Sequence, residues 1–186
     1  MPFERHVLLA IHAHASPFLD AVFRFSHVLG TLPFCAILVL CMALLHARRG
    51  ERRDALLWLL AGIGAGLVQA TLKDVFERDR PLLWPRIGSW PQAFLWLRAG
   101  DPAIYSFPSG HALATAALFP LAAHSLARIR PKLARPAWIA AILLVLFVSF
   151  GRLYLGVHWP SDVLAGWLLG GTLAALAIRV RERAGR

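Results

Sequence analysis

Apolar residues run through this chain in long blocks separated by short polar clusters. Five blocks, at about 31–47, 54–76, 109–127, 134–151 and 161–179, carry almost no charge in their interiors. Each is close to the roughly 20 residues that a helix needs to cross a hydrocarbon core. Ahead of them, 3–14 and 17–29 hold apolar residues at helical spacing, interrupted by Glu4, Arg5, Asp20, Arg24 and His27 and separated by Pro17. That mixture predicts helices lying in the membrane interface. The expected fold is all-α: a polytopic membrane helix bundle of about five transmembrane helices plus N-terminal interfacial helices. It is expected to be a single domain over 1–186, with a transmembrane core at 31–179 and a loop at 77–108.

Composition supports this reading. Hydrophobic residues make up 58% of the 186 positions and the mean hydropathy is +0.59, above the usual globular share. The formal charge is +10, but the basic residues form no stripe of the kind that binds nucleic acid, and no nucleic-acid partner is expected. They cluster instead between apolar blocks: Arg48, Arg49, Arg52 and Arg53; then Arg128, Arg130, Lys132 and Arg135; then Arg179, Arg181, Arg183 and Arg186. With five spans these clusters share one side, which the bias of basic loops assigns to the cytoplasm. The 77–108 loop and the 152–160 turn then share the outer side, and the C-terminus is cytoplasmic. The long loop holds Trp84, Trp90, Phe94, Trp96, Leu97 and Phe107, residues suited to the headgroup level or to the entry of a lipid substrate. Gly62, Gly64, Gly66, Gly166 and Gly170 suit close helix packing. Cys35 and Cys41 lie inside an apolar block and read as packing residues, not as a disulfide or zinc pair. Residues 1–16 lack a basic start followed by an unbroken apolar core, so no cleavable signal peptide is expected.

Three polar clusters stand at block ends on the predicted outer face. The first is Lys73 followed by Arg80-Pro81. A helix-end cation commonly snorkels to the headgroups, but a guanidinium also grips two phosphate oxygens and an ammonium supplies a point charge. The second is Phe107-Pro108-Ser109-Gly110-His111. Proline suits the first turn of a helix, and the amides of Ser109, Gly110 and His111 would face outward as an anion site. His111 stands where it can protonate a leaving oxygen. The third is Arg152, then His158 and Asp162 four residues apart, which puts both on one helical face. A carboxylate on one ring nitrogen leaves the other free as a nucleophile. Three cations, two histidines and a carboxylate on one membrane face suggest a phosphate-handling site.

In order and spacing the three clusters resemble the signature of the type 2 phosphatidic acid phosphatase superfamily, over residues 73 to 170 and including the run from Tyr154 to Gly166. One position departs: the family commonly has Ser before the arginine, where this chain has Gly151. Restoring that hydroxyl with Gly151→Ser is expected to change rate or substrate preference if the contact matters. The resemblance implies a phosphatase without metal or cofactor. His158 would be the nucleophile forming a phosphohistidine, Asp162 would orient it, and His111 would act as general acid and base. Lys73, Arg80, Ser109, Gly110 and Arg152 would hold the phosphate oxygens. It also implies a lipid phosphate as substrate: undecaprenyl diphosphate, phosphatidylglycerophosphate, phosphatidate or a lipid A phosphate, with an isoprenoid diphosphate favoured by family analogy. A bacterial inner membrane is the expected location, with the site on the periplasmic face. A lipid-to-lipid phosphotransferase would use the same residues, and a non-catalytic phospholipid binder or transporter would need the cations but not the nucleophile.

Overall fold

A computed structural model describes residues 2–81 and 105–183, and among them every regular element is helical. The order is α1 (Pro2–His12), α2 (Pro17–Val28), α3 (Leu32–Arg48), α4 (Arg52–Phe76), α5 (Gly110–Ile129), α6 (Ala134–Tyr154) and α7 (Pro160–Arg183), with a 3-10 turn at Pro131–Leu133 before α6. Prolines open several of these helices. Pro17 follows Ser16, whose hydroxyl accepts the Leu19 amide at 3.3 Å, and Pro160 begins α7. Proline fits there because first-turn amides have no intrahelical acceptor. The aromatic loop residues Trp84, Trp90, Phe94, Trp96 and Leu97, and Arg186 of the tail, lie outside the described residues.

Among the described residues, four helices are long and apolar enough to cross a membrane: α4, α5, Pro131–Tyr154 and α7. The 17 residues of α3 measure about 25 Å at the helical rise, slightly less than a bilayer core. A turn at residues 49–51 returns the chain into α4, and Val39 packs on Gly62 about equally far from that turn on the other side, so the two helices form an antiparallel hairpin. Large side chains such as Ile37, Leu44, Leu60, Ile142, Leu143 and Leu168 point outward and stay exposed. An outward apolar belt of that extent belongs in lipid.

Helix α5 is the axis, with most of its residues buried. Helix α7 lies close against it through two glycines. A Cβ on Gly166 would come within 2.8 Å of the Ala112 Cβ and 2.9 Å of the Ser109 carbonyl, and one on Gly170 would overlap the Leu113 carbonyl. In α4 only Gly62 is under that constraint, 2.8 Å from Val39, while Gly66 meets nothing and borders a cavity. Helices α1 and α2 form an elbow bent by 119° and, taken together, are long and apolar enough for one broken span. Of the polar residues that interrupt their pattern, Glu4, Asp20 and His27 turn inward, while Arg5 and Arg24 stay exposed. Phe23 packs among Phe147, Phe150 and Tyr154, and Ser26 and His27 are fully buried. The Tyr154 hydroxyl donates to Asp20 at 2.7 Å, latching α2 to the end of α6.

Candidate active site

The ends of α4, α6 and the starts of α5 and α7 meet at one pole of the bundle, so the three polar clusters converge there. Helix α6 ends at Tyr154. Gly156 takes a φ of 62°, a left-handed conformation that favours glycine, and turns the chain into His158. The His158 Nδ1 donates to the Ser106 carbonyl at 2.8 Å, and the Asp162 Oδ2 lies 3.5 Å from the same nitrogen. The carbonyl is therefore the closer partner and the carboxylate the second. Either way the proton is held at Nδ1, and Nε2 keeps its lone pair. Burial, then the Arg80 guanidinium, push the His158 imidazole down to about 3, so the ring is neutral at physiological pH.

Asp162 is fully buried and held by two donors, Arg78 at 2.6 Å and the Trp159 amide at 2.8 Å. Arg78 also donates to the Ser161 hydroxyl at 2.7 Å and to Glu4 of α1 at 2.8 Å. Glu4 closes the ring by accepting the Ser161 amide at 2.8 Å. The Ser106 amide bonds the Arg78 carbonyl at 2.7 Å and its hydroxyl the Asp79 carbonyl at 3.1 Å. Residues 78–80 are thus stitched to the segment that carries the carbonyl for His158.

The cations surround this ring. Arg80 donates to the Val157 carbonyl at 2.8 Å and stands 3.4 Å from the His158 Nε2. Lys73, buried at the end of α4, donates to the Tyr105 carbonyl at 2.8 Å. Arg152 is only 3% exposed and donates one Nη to the Nδ1 of His27 at 2.7 Å. Its Nε and second Nη are buried with no hydrogen-bond partner among the described residues. Buried guanidinium protons are costly to leave unmatched, so they fit a site that takes an anion.

Ser109 caps α5, with its hydroxyl 3.5 Å from the Ala112 amide. Its own amide is not open to an anion as expected, because it bonds the Asp162 carbonyl oxygen at 3.0 Å. The Gly110 and His111 amides remain as first-turn donors without an intrahelical acceptor. A Cβ at Gly110 would overlap the Gln69 side chain.

Lys73, Arg80, Gly110, His111 and His158 line one end of a cavity of about 720 Å³, together with His27 and Gln69. The cavity continues between α3 and α4 past Leu32, Val39, Leu40, Ile63 and Leu59. From Lys73 to Leu59 is fourteen residues of α4, about 21 Å along the helix. A cationic head and a long apolar body are the shape of a lipid phosphate.

The site residues named from the sequence, Lys73, Arg80, Ser109, Gly110, His111, Arg152, His158 and Asp162, all lie at this pole. The sequence reading missed Glu4, His27, Gln69, Arg78 and Ser106. Arg78 carried a signal, as a second arginine two positions before Arg80 in a charged run leaving the membrane. Ser106 carried none, because it acts through its carbonyl.

A family profile described as the PAP2 superfamily matches residues 54–186. The chain is 43% identical over 87 residues to an undecaprenyl-diphosphatase of Sulfolobus acidocaldarius, covering 47% of this chain and 39% of that one. It is 33% identical over 120 residues to phosphatidylglycerophosphatase B of Bacillus subtilis, covering 63% and 53%. It is 32% identical over 165 residues to a decaprenylphosphoryl-5-phosphoribose phosphatase of Mycobacterium tuberculosis, covering 86% and 77%. The chain thus spans about half or less of the first two relatives. The crystal structure of a transmembrane PAP2 type phosphatidylglycerolphosphate phosphatase from Bacillus subtilis superposes with a TM-score of 0.80 at 28% identity, over 98% of this chain and 86% of that one.

Proposed function

The chain belongs to the PAP2 superfamily, and we propose that it is an integral-membrane phosphatase that hydrolyses a lipid phosphate or diphosphate through a phosphohistidine on His158. The observation that carries this reading is the state of that imidazole. Its Nδ1 is bonded to the Ser106 carbonyl and its Nε2 is unprotonated beside Arg80, in a cavity shared with Lys73 and His111.

The His158 Nε2 lone pair attacks phosphorus. The bond to the leaving oxygen breaks, and that oxygen keeps the electron pair and takes a proton from His111. Water then attacks the phosphohistidine and gives its proton to His111, and the P–N pair returns to His158. Asp162, held by Arg78, stabilises positive charge on the His158 ring. Lys73, Arg80 and Arg152 offset the charge on the non-bridging oxygens, with the Ser109 hydroxyl and the Gly110 amide as neutral donors. Fixed cations in this number supply the charge stabilisation that a divalent ion gives elsewhere, so turnover should survive chelation.

The relatives' names indicate prenyl and glycerolipid phosphates as the substrate class, and the apolar cavity supports either. A long chain would enter sideways between α3 and α4, since Gly66 leaves that wall open. The whole chain acts as one domain. The site faces the periplasm of a bacterial inner membrane and the basic end, with the C-terminus, faces the cytoplasm.

The test is phosphate release by purified protein in EDTA from undecaprenyl diphosphate, phosphatidylglycerophosphate and phosphatidate, with His158→Ala alongside. Release that survives chelation and drops by several orders of magnitude in the variant is expected, as for loss of a covalent nucleophile. Activity abolished by EDTA and restored by Mg²⁺, or a His158→Ala protein of near-normal turnover, would overturn it.

A further inference from the structure

At the centre of the site stands a residue that the mechanism above does not use. His27, on α2, is buried; its Nδ1 lies 2.7 Å from an Nη of Arg152 and 2.9 Å from the Nε2 of His111. We propose that His27 is a positioning residue for both groups, the acceptor that sets the tautomer of His111 and the aim of Arg152. The proposal rests on the phosphatase reading for its catalytic consequence.

Hydrogen-bond chemistry fixes the protons. A guanidinium only donates, so the Nδ1 of His27 must carry a lone pair and its proton must sit on Nε2. The contact to His111 then requires His111 to donate from Nε2. The Nδ1 of His111 then carries the exchanging proton: protonated on both nitrogens, His111 gives the Nδ1 proton to the leaving oxygen, and as the neutral Nε2–H tautomer it takes one back from water. The two rings stack with centroids 4.7 Å apart and planes 18° apart, which limits rotation of His111. The same acceptor ties down one Nη of Arg152 and leaves its unpartnered Nε and second Nη for a phosphate.

The backbone around α2 is shaped for this contact. Gly30 faces the His111 ring so closely that a Cβ there would overlap it. One turn before His27, Phe23 fills an aromatic pocket with Phe147 and Tyr154. A ring needed only for packing could have been a phenyl at 27 as well. An imidazole buried in an apolar helix is costly unless its nitrogens are used, and here its Nδ1 serves two groups of the site. His27 also lies outside the 54–186 segment that the family profile matches, so the N-terminal elbow contributes it.

The experiment compares wild type, His158→Ala, His27→Phe and His27→Asn as full-length purified proteins, on whichever of the three lipid phosphates wild type cleaves fastest. His27→Phe keeps the stacked ring and removes the acceptor, while His27→Asn puts a carbonyl oxygen near the Nδ1 position. Expected is a fall in kcat of about 100-fold for His27→Phe with KM changed far less, the size typical of a lost orienting partner. Asn should recover about tenfold of that loss, which a packing role would not predict. A His27→Phe kcat within about twofold of wild type, or an Asn variant no faster than Phe, would overturn the proposal.

A second readout does not need turnover. ¹⁵N-histidine spectra of wild type, assigned by the signals missing from His27→Asn, should show His27 protonated at Nε2 alone. A proton on its Nδ1 would refute the geometry, even if His27→Phe fails to fold. Wild type without phosphate release would sink the phosphatase reading, and the tautomer would still decide the contact. An active wild type, a dead His158→Ala and a normal His27→Phe would sink the inference alone.

Discussion

Gly151 shows how one residue changes meaning in three dimensions. The family pattern places a serine there, and the sequence suggests a missing hydroxyl that could be restored. In the structure the volume is already taken, because a Cβ at Gly151 would overlap the Ser26 Oγ from α2. That hydroxyl is buried and donates to the Phe23 carbonyl at 2.7 Å. Gly151→Ser alone should therefore overpack the site and cost about 1–3 kcal/mol, read as a lower Tm. Ser26→Gly combined with Gly151→Ser should recover most of it. If the single variant is as stable as wild type, the two positions are not in contact. His158 gives a second prediction at this scale. Its folded-state value of about 3 lies below the ordinary value near 6.5 of an unfolded histidine. Between those values the unfolded chain binds the extra proton, so stability contributed at neutral pH is lost as pH falls from about 6.5 toward 3. From pH 7 to 5 the Tm of wild type should fall more than that of His158→Gln. Equal slopes would mean that the imidazole titrates alike in the folded and unfolded chain. The chemistry-bearing side chains were legible because their types and order are specific. Ser26 and the Ser106 carbonyl were not, since nothing local marks a hydroxyl or a backbone oxygen that acts far away in sequence.

Among the helices, the N-terminal elbow is what the sequence pattern described least well. Its charges broke the apolar periodicity and suggested an interface, yet several of them are inward ties: Glu4 to Arg78 and Ser161, Asp20 to Tyr154, His27 to Arg152. Periodicity reports a polar residue but not the partner that makes its burial tolerable. The ends of the other helices were easier to read, because a span has two ends and each motif had to sit at one. Arg78 joins α1 to the start of α7 through Glu4 and Asp162, and it makes an element-level prediction. Arg78→Met should leave the Asp162 carboxylate with only the Trp159 amide among these donors. Activity should fall about 10–100-fold, as expected when an orienting partner is removed. Glu4→Gln retains an acceptor for the Ser161 amide and should cost far less. Equal losses in the two variants would mean that α1 docking, and not the charge on Asp162, is what Arg78 supplies.

The molecule as a whole has two polar poles joined by apolar helices, and they do different work. Opposite the site, Asp54 at the start of α4 accepts from Arg128 of α5 at 3.0 Å and from Arg181 of α7 at 2.8 Å. Nearby, His46 of α3 bonds Glu51 at 2.6 Å and Ser125 at 3.2 Å, and Trp58 donates to the same hydroxyl at 3.2 Å. The sequence marked these arginines as signs of the cytoplasmic side. Two of them also clasp α4, α5 and α7 through one carboxylate, a role that charge counting cannot distinguish from topology. Asp54→Asn removes the charge that both guanidinium groups face. Because both are partly exposed, the loss should be about 1–3 kcal/mol, less than for a fully buried pair. It should appear as a lower Tm in detergent while kcat per folded molecule stays unchanged, because Lys73 stands nineteen residues further along α4, nearly 30 Å by the helical rise. If the folded Asp54→Asn protein were also slower, the clasp would have to set the spacing of α4, α5 and α7 at the phosphate end, and the two poles would be one mechanical unit.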